Sequence, residues 1–114
     1  MAHLADRQCV PCKGGVPPLT AEQIAPLLAQ LEGWRVIDNH HLEKRYKLKN
    51  FAQALDLVNR IGAIAEEQNH HPDMVLAWGR VDVTIWTHKI NGLTESDFVF
   101  AAKCDRAFAA LPSP

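Results

Sequence analysis

Glu66, the run His70-His71-Pro72, Trp78, His88 and Asp97 stand in the order E-x3-H-H-P-x5-W-x9-H-x8-D, and three of the six histidines fall inside it. Imidazole has an unperturbed pKa of about 6.5, nearest neutrality among the side chains, so one histidine can give a proton while another takes one. Paired proton donation and removal is the chemistry of adding or eliminating water.

Each of these residues also has an ordinary structural reading. A single histidine outside any pattern, such as His3, His40 or His41, reads as a surface or structural residue. His70 and His71 differ, because Asn69 and Pro72 stop a helix there and leave the pair in a sharp exit with no evident packing purpose. His88 ends a predicted strand, where scaffolds present reactive groups. Asp97 falls at the third position of a predicted helix, where an acid satisfies helix-terminal amides without doing any chemistry. Glu66 and Glu67 read equally well as solvated helix residues. Metal binding is the competing chemistry, but the His-His pair lacks the H-E-x-x-H spacing that puts two imidazoles on one helical face.

The elements that must position these groups follow from periodicity and punctuation. Thr20 and Gln23 form a T-x-x-Q capping box for a first helix with the stripe Ile24, Leu27, Leu28 and Leu31; Pro26 bends it and Gly33 ends it. Residues 34 to 38 and 42 to 48 are strand candidates around Asn39-His40, with Leu42, Tyr46 and Leu48 on one face and Glu43, Arg45 and Lys47 on the other. Asn50 begins the strongest helix, with Phe51, Ala54, Leu55, Val58, Ile61 and Ala65 at helical spacing down to Gln68. Two more strands, 74 to 78 and 81 to 88, flank Gly79-Arg80, and Val81, Val83 and Ile85 face the core. Thr94 caps a third helix whose Phe100, Cys104, Ala107, Phe108 and Leu111 face inward. The order α-β-β-α-β-β-α predicts an α+β domain: a four-stranded antiparallel sheet with three helices on one face.

Composition bounds the rest. With 114 residues the chain holds one core, placed at residues 19 to 112, behind a loosely ordered arm over residues 1 to 18 that ends in Pro17-Pro18. Twelve basic against thirteen acidic residues give a net charge of -1, so no overall positive field draws it to nucleic acid or to an anionic membrane. No run approaches the roughly 18 apolar residues of a membrane span, and the first residues lack the apolar stretch of a signal peptide; the expectation is a cytoplasmic protein. Three cysteines make no disulfide framework. Cys9 and Cys12 form a C-x2-C, half of a tetrahedral zinc site, and read as part of a plain leader.

The ordered set Glu66, His70-His71-Pro72, Trp78, His88 and Asp97, with Gly92-Leu93-Thr94 ahead of the aspartate, closely resembles the signature of the pterin-4a-carbinolamine dehydratases, from about Thr20 to Leu111. The resemblance implies the α+β fold already reached and the removal of water from 4a-hydroxytetrahydrobiopterin to give quinonoid dihydropterin, in tetrahydropterin recycling, with neither metal nor cofactor. It implies that His70 and His88 are the acid/base pair, that His71 orients the substrate, and that Asp97 orients or supports His88. Glu66 is implied to contact the pterin or polarise a histidine. Trp34 and Pro72 are implied near the substrate, and Trp78 in strand packing. It further implies a homodimer or homotetramer, with an aromatic amino-acid hydroxylase as a candidate partner. Relatives of this fold also act as dimerisation cofactors or enzyme assembly factors, sometimes without these histidines; this chain keeps them.

Overall fold

In the computed structural model, which describes residues 4–7 and 17–112, Thr20 caps α1 (Ala21–Leu28) with its hydroxyl accepting from Gln23 N, while the Gln23 side-chain Oε1 accepts from Thr20 N. The helix is shorter than its stripe predicts. Pro26 lies inside it, and beyond Leu28 the chain continues in tighter turns, Gln30 N donating to Leu27 O and Leu31 N to Leu28 O. Leu27, Leu28 and Leu31 still pack on the core around the buried Ile24.

The sheet has the order β1-β2-β4-β3, with β1 at Arg35–Ile37, β2 at His41–Lys47, β3 at Asp73–Ala77 and β4 at Arg80–Ile85, all neighbours antiparallel. The register pairs Leu42 with Ile85 and Tyr46 with Val81, so the apolar residues of the two central strands line one face. That face is covered by α2 (Phe51–Gln68) and α3 (Glu95–Ala109), which bury Leu57, Ile61, Phe98 and Phe100 against it. Element order and class are those read from the sequence. On the opposite face Arg45 pairs with Asp82 directly across the ladder at 2.9 Å.

Three details depart from expectation. The buried stripe of α2 is Ala54, Leu57, Ile61, Ala65 and Gln68, whereas Phe51 and Leu55 are 45% and 42% exposed. On α3, Phe108 is 37% exposed at the margin of the core. The fourth strand stops at Ile85: Thr87 turns to bridge Gly92, its N donating to Gly92 O at 2.9 Å, and His88 lies in a 3-10 turn, His88–Ile90, closed by Asn91 at φ 52°.

Within the expected loose arm, Leu4–Asp6 forms a 3-10 turn that docks on α3, with Leu4 and Ala5 buried, Lys103 Nζ donating to Ala5 O at 2.9 Å and Arg106 pairing with Asp6. An apolar leucine at the arm's start therefore joins the core. Cys9 and Cys12 lie outside the described residues. At residue 19 the chain is fastened again, Leu19 N donating to Leu93 O at 2.9 Å, and a Cβ placed on Gly92 would come 2.6 Å from the Pro18 side chain.

A polar knot joins β2 to α3. The Asp105 carboxylate accepts from Tyr46 OH at 2.6 Å, from Lys44 Nζ at 2.8 Å and from the Trp34 indole N–H at 3.0 Å. Lys44 also donates to Glu32 O and sits 4.8 Å from the Tyr46 ring centre. Burial pushes the Tyr46 phenol far above its usual range, with the Cys104 and Asp105 charges adding to it.

Candidate functional site

Helix α2 ends where Asn69 takes the left-handed conformation, φ 52°, its N–H donating to Ala65 O while His70 N also donates to Ala65 O at 3.1 Å. Pro72 then directs the chain into β3. The two histidines of this exit point to different partners. His70 turns inward, donating from Nε2 to Asp97 Oδ1 at 2.6 Å, and its ring packs 5.7 Å from that of Phe100. His71 stays outside, its Nε2 at 2.5 Å from Glu66 Oε2. Each imidazole therefore binds a carboxylate through Nε2 and keeps Nδ1 for other work.

Asp97 is completely buried, the N3 residue of α3. Its second oxygen accepts from Thr94 N at 2.8 Å and from the Thr87 hydroxyl at 2.9 Å. The aspartate thus does both things its position allows: it caps the helix and it holds a histidine. The histidine it holds is His70, a correction to the expectation that Asp97 supports His88. His88 is reached indirectly, as the residue after Thr87. Its ring is exposed and stacks on Trp86 at 4.3 Å between centres, 21° from parallel, and no hydrogen bond to it is seen among the described residues.

Trp34 is buried in the Asp105 knot, edge-on to Tyr46 at 6.2 Å, and its described contacts include none of the three histidines. Trp78 is not packed in a strand; it stands 69% exposed just past the end of β3. Thr87 was not among the expected site residues. The available signal was a polar residue at the core-facing parity of Val81, Val83 and Ile85, since a buried hydroxyl there needs a partner. His40 and His41, which read from the sequence as surface or structural residues, lie against Trp86, the ring on which His88 stacks. Among the described residues no three or more His, Cys, Asp and Glu side chains are grouped to hold a metal ion. A groove of about 600 Å³ on the open sheet face is lined by Arg35, Glu43, Arg45, Val75, Asp82 and Thr84, apart from the histidines.

Chemically, a carboxylate against one ring nitrogen fixes the tautomer and stabilises the imidazolium formed when the other nitrogen takes a proton. His70 with buried Asp97 has that arrangement in a shielded form, and His71 with Glu66 in an exposed form. A family model for pterin 4 alpha carbinolamine dehydratase matches residues 17–107. The chain belongs to the pterin 4 alpha carbinolamine dehydratase family. A protein of Rubrobacter xylanophilus, provisionally named a pterin-4-alpha-carbinolamine dehydratase, is 61% identical over 93% of this chain and 99% of its own length. A similarly named protein of Alkaliphilus metalliredigens is 54% identical over 93% of this chain and 96% of its own length. Among solved structures, the transcriptional coactivator/pterin dehydratase of Brucella melitensis superposes with a TM-score of 0.75 at 34% identity, covering 79% of this chain and 97% of that one. A pterin dehydratase-like RuBisCO assembly factor of the alpha-carboxysome shares the fold, with a TM-score of 0.61 at 23% identity over 70% of this chain and 94% of that one.

Proposed function

We propose that the protein removes water from a 4a-hydroxytetrahydropterin, with His70 and His88 moving protons and His71 placing the ring. The observation that carries this reading is the His70–Asp97 pair, an imidazole whose positive charge has a buried carboxylate waiting for it. In the substrate the hydroxyl and the amine nitrogen N5 are on adjacent atoms. The C4a–O bond breaks as the hydroxyl is protonated and leaves as water, the N5 lone pair forms C4a=N5, and N5 gives up its proton. Quinonoid dihydropterin and water balance the equation, and the catalyst is reset when the base passes the proton it took to solvent and the acid takes one back. His70 suits removal of the N5 proton, because Asp97 stabilises the resulting imidazolium. The exposed His88 is left to protonate the departing hydroxyl, and His71, oriented by Glu66, holds the bicycle. Pro72 adjoins His71 in the chain and Glu66 pairs with it, which supports reading both as substrate-side residues. Trp34 would act on the pocket only through β1 and α3.

Such a carbinolamine is formed when a tetrahydropterin-dependent aromatic amino-acid hydroxylase turns over, so the reaction belongs to recycling of that cofactor in the cytoplasm. The test is dehydration of the carbinolamine by purified protein. His70→Ala and His88→Ala are expected to lower kcat by on the order of 10- to 10³-fold, and His71→Ala chiefly to raise KM. Wild-type kcat in both folded variants would sink the acid/base assignment and favour a protein-binding role, as in the assembly-factor relative. We read the active form as a homodimer or homotetramer joined through sheet edges and helices. Exposed Val75 on edge strand β3, with Phe51 and Leu55 on α2, supports that, and sedimentation showing only monomer at micromolar concentration would contradict it.

A further inference from the structure

The turn between β1 and β2 has Asp38 and Asn39 at φ 54° and 52°, and it closes with His40 N donating to Ile37 O at 2.8 Å. This delivers His40 to the end of the hairpin and starts β2 at His41. Because Leu42 is registered against Ile85, one step further along the ladder puts His41 opposite Trp86. Both histidine rings lie against that indole, His40 at 5.4 Å and His41 at 6.2 Å between centres. Trp86 is the ring on which His88 stacks.

A second connection runs through hydrogen bonds. Asn91 Oδ1 accepts from His40 Nε2 at 2.7 Å, which leaves the lone pair of His40 Nδ1 to accept from His41 Nδ1 at 3.1 Å. Asn91 ends the 3-10 turn that begins with His88, its own N–H donating back to His88 O at 3.2 Å. His40 therefore bears on His88 in two ways, through an aromatic ring and through the last residue of a single turn of backbone.

We infer that His40 is a positioning residue for His88: by fixing the Asn91 amide and the Trp86 ring it sets where the His88 imidazole stands over the substrate. The inference rests on the proton-transfer role given to His88 above. It also assigns His41, Trp86 and Asn91 a shared purpose. An exposed histidine on a 3-10 turn without such a brace would sample several rotamers, and loss of alignment at a proton-transferring group costs rate rather than binding.

The test uses His40→Phe, which keeps a ring against Trp86 but has no donor, and Asn91→Gly, which keeps the left-handed backbone at no steric cost but has no acceptor. Each is expected to lower kcat by on the order of tenfold with KM changed less than about twofold, and the double variant to lose little more than either alone. His40→Gln, which can still donate to Asn91, should recover most of the rate. In substrate-free protein, the ring-proton NMR signals of His88 should shift or broaden in both single variants. Unchanged His88 signals together with wild-type kcat in both would overturn the inference. Shifted signals in a protein whose wild type dehydrates no carbinolamine would uphold the brace and discard the dehydratase reading, so the two failures are distinct. Should His40→Phe fail to fold, Asn91→Gly alone decides between these outcomes.

Discussion

Three donors from three parts of the chain converge on the buried Asp97 carboxylate: the His70 imidazole, the Thr87 hydroxyl and the Thr94 amide. Removing the carboxylate strands all three. Asp97→Ala is expected to lower unfolding free energy by about 2–4 kcal/mol, read by denaturant titration. Asp97→Asn keeps the shape but cannot serve every donor, and its amide competes for the His70 tautomer; kcat should fall on the order of 10²-fold or more while the fold survives. A kcat within about twofold of wild type in folded Asp97→Asn would show that the pair is only a helix cap. The sequence made both halves of this pair legible, His70 by the helix exit and Asp97 by its cap position. Their partnership was not legible. His88 lies nine residues before Asp97 and His70 twenty-seven, and only the packing of α2 against α3 brings the more distant one into contact.

At the scale of elements, the Asp105 knot is where the sheet is fixed to α3, and its Tyr46 gives it a measurable signature. The phenol's folded pKa is raised above its unfolded value of about 10, so below that pH the folded state enjoys the full benefit. Above it the unfolded chain releases the proton first, and stability should decline with rising pH by up to about 1.4 kcal/mol per unit. Tyr46→Phe should be about 1 kcal/mol less stable at neutral pH, for want of the bond to Asp105, and should show a flatter alkaline decline. Equal alkaline slopes in the two proteins would remove Tyr46 as the cause. Helix caps and strand faces were readable because they depend on residues three or four apart or on alternation. The end of β4 was not readable. Strand length depends on the neighbour, and the pairing of β2 with β4 begins only at Leu42, so it runs out after Ile85 and frees His88 for its turn.

For the molecule as a whole, the arm that composition marks as loose contributes an apolar anchor at its far end. Leu4 is 3% exposed among core residues, and Ala5 O and Asp6 fasten to α3. Leu4→Ala should lower stability by about 2–3 kcal/mol, seen in thermal and denaturant unfolding, and deletion of residues 1 to 7 should cost at least as much. Unchanged unfolding curves would return the segment to a dispensable leader. Periodicity could not reveal this contact, since a single leucine among polar residues carries no repeat.

Gly92 and Pro18 offer a consequence on the time scale of sequence drift. With 2.6 Å between the Pro18 side chain and the place where a Cβ on residue 92 would stand, the two positions cannot change independently. A lineage that gains a side chain at 92 must first lose bulk at 18 or let the domain's entry segment swing away from Leu93. Relatives should therefore keep glycine wherever they keep the proline. Where the glycine is lost, the compensating change should be found at the domain's entrance, some seventy residues earlier in the chain.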